Sequence, residues 1–128
     1  MSATIVPERL TAHFTRDELA CPCCGQIHML NAKLVALCLE RIRSGFGPMI
    51  VVSGHRCPVH NAHVHGKPDS EHLSTLAADI RVQSDRQRYL LVMRALQCDV
   101  RRIGVHLGFI HLGFSLKHPQ DVLWTYPT

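Results

Sequence analysis

The spacing of hydrophobic positions along this chain predicts two long helices. Over residues 31–44 apolar side chains recur at helical intervals, with Asn31 as the expected cap and a stretch of glycine and proline after the last turn. Over residues 84–97 a capping box at Ser84 starts a second helix, with Leu90, Leu91 and Leu96 as its expected core residues. A further capping box over residues 15–18 predicts a short helix near the beginning.

Shorter apolar segments predict β-strands between and after these helices. They are residues 49–53, read as a buried strand, residues 77–82, residues 101–106 and 109–115, and an edge strand over residues 122–126. Only two residues separate the segment 101–106 from the segment 109–115, which predicts that these two strands form a hairpin. Successive side chains of a strand point to opposite faces, so Ile80 should face the core and Asp79 should face away from it. The same alternation places His111, in the segment 109–115, on the face away from the core.

Length and composition fit one domain over residues 1–128. The chain has 46% hydrophobic residues, which is typical of a globular protein. Its net charge of +4 favours an acidic polymer, such as nucleic acid or an anionic cell-wall surface, but is too small to choose between them. No apolar run approaches a membrane span and no signal peptide is recognised, so the sequence predicts a chain that is cytoplasmic as synthesised.

Six cysteines raise the question of disulfides or a metal site. Cys21, Cys23 and Cys24 are bunched, and a Cys-x-x-Cys pair followed by a histidine resembles half of a structural zinc site. Cys57 or His13 could complete such a site. Free thiols, a disulfide and a structural metal all remain open from the sequence.

The stretch from 53 to 80 holds five of the ten histidines. Its loop histidines, His60, His63 and His65, are of a kind commonly exposed to solvent. His72 and Asp79 are better candidates for a metal, with His111 as a third ligand, because two histidines and one carboxylate leave zinc an open coordination position. Seven extended residues would separate His72 from Asp79 by roughly 23 Å, so a turn at residues 74–75 must bring them together.

Arg56 follows the strand over residues 49–53 and has two interpretations. It is either a solvated loop arginine or a cation that holds a substrate carboxylate or stabilises an oxyanion.

Four segments together resemble the zinc D-Ala-D-Ala carboxypeptidase family, which includes phage L-alanyl-D-glutamate endopeptidases. They are Ser-Gly-His-Arg-Cys-Pro-Val-His-Asn at 53–61, Ser-Glu-His at 70–72, Ala-Ala-Asp-Ile at 77–80 and Phe-Ile-His at 109–111. The resemblance implies an α+β fold, with helices packed on a small antiparallel β-sheet that carries a zinc site. It also implies that His72, Asp79 and His111 bind Zn²⁺ and that Arg56 supports the substrate or the transition state.

Two positions depart from the family pattern. Many members have an acidic residue three positions before the last zinc histidine, where this chain has Gly108. Some relatives use a histidine five positions before it, which makes His106 the predicted general base or oxyanion partner. Thr75 replaces a glycine of the family pattern.

The resemblance predicts a zinc-dependent peptidoglycan peptidase that hydrolyses a stem-peptide bond next to a D-amino acid. We expect a monomer that acts on the cell wall after release or phage delivery, without nucleic-acid binding or membrane insertion. The alternative is a non-catalytic zinc-containing module of a phage tail or a cell-wall-binding protein.

Overall fold

The computed structural model describes residues 8–127. Its helices are α1 (Arg16–Leu19), α2 (Met29–Phe46), α3 (Pro58–His63) and α4 (Asp85–Gln97), and a short 3-10 helix spans Glu71–Ser74. Its strands are β1 (Val51–Ser53), β2 (Ala77–Arg81), β3 (Arg102–Val105), β4 (Phe109–Gly113) and β5 (Val122–Thr125). In this part of the chain, no helix combines the length and the apolar character that crossing a bilayer requires.

The five strands form one sheet in the order β1-β2-β4-β3-β5. The pairs β1–β2, β2–β4 and β3–β4 are antiparallel, whereas β3 and β5 are parallel. The predicted α+β fold is confirmed, but the sheet is mixed rather than purely antiparallel. Strand β4 is paired on both sides, with β2 and β3. After residues 114–121 the chain therefore adds β5 at the free edge of β3, which confirms the predicted edge strand.

Helices α2 and α4 cover one face of the sheet. The apolar core contains Val35, Leu39 and Ile42 from α2, Leu91 and Ala95 from α4, and Ile80, Ile103, Ile110 and Leu112 from the strands. Because neighbours along a strand point to opposite faces, Asp79 and His111 lie on the other face, where they are opposite each other in register. The predicted inward orientation of Ile80 is confirmed.

The predicted helices are present, with corrections at their ends and surfaces. Helix α2 begins at Met29 because the ring of His28, rather than the side chain of Asn31, caps it; the Asn31 amide donates to the Ser74 carbonyl instead. Ser84 caps α4 as predicted, but Leu96 is 57% exposed because the buried stripe of this helix runs through Leu91 and Ala95. Thr15 forms a complete capping box at α1.

The prediction of a buried strand at residues 49–53 is wrong. Strand β1 has three residues and lies at the edge of the sheet, paired only with β2. Val52 is consequently exposed, as is Ile50 just before the strand. The predicted hairpin is confirmed as the antiparallel pair β3–β4.

Candidate metal centre

Three buried side chains converge on the sheet face opposite the helices. His72 Nε2 lies 3.2 Å from Asp79 Oδ1 and 3.2 Å from His111 Nδ1, and His111 Nδ1 lies 2.9 Å from Asp79 Oδ1. Each of these residues is at most 5% exposed. The edges of a tetrahedral zinc site with N and O ligands are about 3.3 Å long, so the three atoms already have the separation that zinc requires.

The local fold explains this convergence. His72 belongs to the 3-10 helix, and Thr75 then adopts a left-handed conformation with φ 58° that returns the chain into β2. The turn predicted at residues 74–75 is therefore present. Asp79 on β2 and His111 on β4 are direct register partners, which places their side chains side by side.

Outer hydrogen bonds orient both imidazole rings. His72 Nδ1 lies 2.6 Å from the Gly54 carbonyl oxygen, and His111 Nε2 lies 2.6 Å from Glu71 Oε2. Each ring therefore donates its N–H outward and directs a lone pair into the centre, as histidine ligands of metals do. Two lone pairs and a carboxylate facing one another repel unless a cation lies between them. The donor set thus fits a divalent metal such as zinc.

Glu71 is the main residue of the site that the sequence did not reveal. It is 3% exposed, accepts from Arg102 Nε at 3.1 Å, and accepts from the Ser115 backbone N–H at 3.1 Å. A Cβ at position 113 would overlap its carboxylate, so Gly113 leaves room for it. Its position inside the Ser-Glu-His motif, directly before His72, was the available signal.

Charge within the cluster holds both carboxylates ionised. Burial alone would raise the pKa of Asp79, but the neighbouring His111 and His72 rings keep it well below its ordinary value. Burial likewise acts to raise the pKa of Glu71, and the His111 hydrogen bond reverses that effect. A buried, ionised carboxylate beside two imidazole nitrogens is a favourable environment for a cation.

Comparison with protein families gives a match that includes these residues. The family model of peptidase M15 matches residues 12–113. The chain belongs to the peptidase M15 family. No curated protein matches the sequence. Peptidases of this family are zinc-dependent, so the family and the donor set agree on the metal. The family predicted from the motifs is thereby confirmed.

Arg56 in this M15 peptidase domain is anchored rather than solvated. Its side chain is 15% exposed, and its guanidinium lies 3.4 Å from Asp79 Oδ2 and donates to Ser53 Oγ at 3.1 Å. Its backbone N–H also donates to the His72 carbonyl at 3.0 Å. The structure therefore places a fixed positive charge directly beside the three converging atoms.

His106 lies farther along the hairpin. Its Nδ1 accepts a hydrogen bond from the Gly108 N–H at 3.0 Å, and its ring stacks on Phe109 with centroids 4.4 Å apart. No hydrogen bond within residues 8–127 joins its ring to the three candidate ligands. Since Nδ1 accepts, the neutral ring carries its proton on Nε2 and is a donor there.

Trp124 and Tyr126 complete this side of the sheet. The Trp124 ring lies 5.3 Å from the His111 ring, and a Cβ at Gly104 would come within 2.7 Å of the indole. Burial raises the pKa of the Tyr126 hydroxyl, and the negative charge of Asp79 adds to that effect. The sequence favours a packing role for Trp124 over a binding role and gives no role to Tyr126, although the alternation of the two rings was a usable signal.

The predicted loop histidines do not join the centre. His63 and His65 are exposed, and His60 is only half buried, at the helix α3. Within the described part of the chain, none of the three belongs to a group that could hold a metal ion.

Thr75 compensates for its unfavourable backbone conformation through its hydroxyl. The hydroxyl accepts from the His28 N–H at 3.0 Å and lies 2.7 Å from His55 Nδ1. We expect Thr75→Val, which keeps the shape but loses both bonds, to lower the free energy of unfolding by about 2 kcal/mol. Urea denaturation measures this, and Thr75→Ser is the matched control that keeps the hydroxyl. Equal stability of the two variants would contradict this role.

Proposed function

We propose that this chain is a zinc-dependent peptidoglycan peptidase, which hydrolyses a stem-peptide bond next to a D-amino acid. The observation that carries the proposal is the inward orientation of the lone pairs of His72 Nε2 and His111 Nδ1 beside Asp79. With two histidines and one carboxylate as ligands, the site resembles catalytic zinc sites, which keep one position open. Membership of the M15 family supports the same conclusion.

In this proposal His72, Asp79 and His111 hold the zinc ion. The chemistry that zinc supplies when bound is Lewis acidity, which polarises a peptide carbonyl and makes water a stronger nucleophile at neutral pH. The protein itself fixes the two histidine donors before the substrate arrives, since the Gly54 carbonyl and Glu71 hold both rings in place.

Arg56 and His106 are the proposed partners of the reacting carbonyl. Arg56 carries a fixed positive charge beside Asp79, which suits either a free substrate carboxylate or the negative charge that develops on the carbonyl oxygen. His106 presents an N–H at Nε2 because Gly108 occupies Nδ1, so the oxyanion role fits it better than the general-base role. The enzyme would reach its substrate after release or delivery to the wall.

We expect His106→Phe to lower kcat/KM by about a hundredfold, because the ring still stacks but no longer donates a hydrogen bond. His106→Gln is the matched variant that keeps a donor, and it should retain more activity. Zinc content should be equal in both variants, which separates this role from metal binding. Full activity of His106→Phe would remove His106 from the reaction.

Hydrolysis of purified stem peptides tests the function. The zinc-loaded protein is incubated with the peptides, and the masses of the products identify the bond that is cut, and hence carboxypeptidase or endopeptidase action. Cleavage should be lost with a chelator and in His72→Ala, and retained in His63→Ala, which alters an exposed histidine at the end of α3.

The same experiment distinguishes the peptidase from the alternative function. Gly108 lacks the acidic side chain that many relatives have, and this favours a non-catalytic zinc-containing module of a phage tail or of a wall-binding protein. One zinc ion at the centre without turnover of any stem peptide would establish that module and overturn the peptidase.

A further inference from the structure

A second group of metal-ligand side chains lies outside the centre described above. The sulfur atoms of Cys21, Cys24 and Cys57 all lie within 4.8 Å of one another. All three are free thiols, and Cys21 and Cys57 are buried while Cys24 is exposed. They come from two separate segments, the loop after α1 and the N-cap of α3.

A fourth thiol is adjacent to this group. Cys23 lies between Cys21 and Cys24 in the same loop, and its side chain is exposed. His13, which the sequence offered as an alternative fourth ligand, is instead bound to Glu40 at 2.9 Å. The ring of His28 accepts a hydrogen bond from the Asn31 N–H as the N-cap of α2, so it too has another partner. Cys23 is therefore the available fourth donor.

Backbone N–H groups point at the sulfur atoms of the buried pair. The Cys57 N–H donates to Cys21 Sγ at 3.4 Å, and the His60 N–H donates to Cys57 Sγ at 3.4 Å. Burial raises the pKa of the Cys21 thiol, but amides of Cys57, Cys24 and Cys23 outweigh it and bring the pKa to about 7. Such amides stabilise thiolates, which are the form that binds metals.

We propose that Cys21, Cys23, Cys24 and Cys57 bind a second Zn²⁺ ion, which has a structural role. Zn–S bonds of about 2.3 Å give tetrahedral sulfur separations of about 3.8 Å, so the three sulfurs need to approach by no more than about 1 Å. Four thiolates leave no open position, which is the arrangement of structural rather than catalytic zinc. Soft thiolate ligands select zinc over magnesium or calcium.

The cysteine cluster lies next to the segment that holds His72 in place. Cys57 directly follows a segment that holds His72 from both sides, through the Gly54 carbonyl and the Arg56 N–H. The His55 N–H donates to the Leu19 carbonyl at 2.7 Å, close to the cysteine loop. A metal that joins the loop to Cys57 therefore fixes the segment that orients His72 and Arg56.

Cobalt substitution tests the proposal without relying on activity. The full chain is reduced, freed of metal and titrated with Co²⁺, and thiolate ligation gives a charge-transfer band in the near ultraviolet that histidine and carboxylate ligands do not give. We expect binding of about two cobalt ions per chain, one of them with this band. Cys24→Ser should weaken or abolish the band, whereas Cys38→Ser, in α2 and outside the cluster, should preserve it.

Two results would overturn the proposal. One is the absence of the band in the reduced wild-type chain, which needs no variant to fold. The other is a thiol titration of the protein as purified that shows Cys21 or Cys57 in a disulfide and no zinc at the cluster. Asp79→Asn should leave the band unchanged, so failure of the peptidase proposal and failure of this one are distinguishable.

Discussion

Asp79→Asn is expected to reduce hydrolysis of stem peptides by about a thousandfold or more, since metal polarisation is worth several kcal/mol and each 1.4 kcal/mol is a factor of ten. The substitution keeps the shape of the side chain and removes the only negative charge among the three converging donors. It also leaves the nearby Arg56 guanidinium, 3.4 Å from Asp79 Oδ2, without its partner. An uncompensated positive charge there opposes binding of a metal cation.

Zinc content and kcat/KM, measured on the same preparations, check this expectation. Asp69→Asn is the matched control, because its side chain is 79% exposed and lies in a loop away from the three donors. We expect that control to match the wild-type chain in both measurements. An Asp79→Asn variant that keeps zinc and full turnover would show that the carboxylate is not a ligand.

Glu71→Ala is expected to lower the free energy of unfolding by about 3–5 kcal/mol, because it leaves the buried Arg102 guanidinium without its ion pair. Glu71 is 3% exposed, and it also accepts hydrogen bonds from His111 and from the Ser115 N–H. Losing the partner of His111 should weaken zinc binding by about ten- to a hundredfold as well.

Urea denaturation of the metal-free chain isolates the stability effect, and zinc titration measures the affinity. Glu71→Gln keeps a hydrogen-bond acceptor and should lose less stability than Glu71→Ala. Glu18→Ala removes an exposed capping-box carboxylate and should cost only about 1 kcal/mol. If Glu71→Ala is no less stable than Glu18→Ala, the buried ion pair does not support the site.

Local signals in the sequence predicted much of the fold. The capping residues Thr15 and Ser84, the apolar stripe of α2 and the two-residue turn of the hairpin each depend on neighbours along the chain. Alternation along β2 also placed Asp79 and Ile80 on opposite faces. What local patterns could not give was the pairing of strands that are distant along the chain: β1 lies at an edge and β5 pairs parallel to β3.

In the metal centre, too, residues in local motifs were predicted and a residue with distant partners was not. His72, Asp79 and His111 were predicted as ligands from their motifs, and their donor atoms lie together as that prediction requires. Glu71 escaped prediction because its partners His111 and Arg102 are 40 and 31 residues away in sequence. A carboxylate next to a ligand motif has no local signature of such contacts.

Anomalous diffraction at the zinc absorption edge, from crystals of the purified wild-type chain, tests whether His72, Asp79 and His111 bind zinc. We expect a strong peak within bonding distance of His72 Nε2, Asp79 Oδ1 and His111 Nδ1. A zinc-loaded crystal with no peak among these three atoms, or with zinc at the cysteine cluster alone, would contradict that expectation.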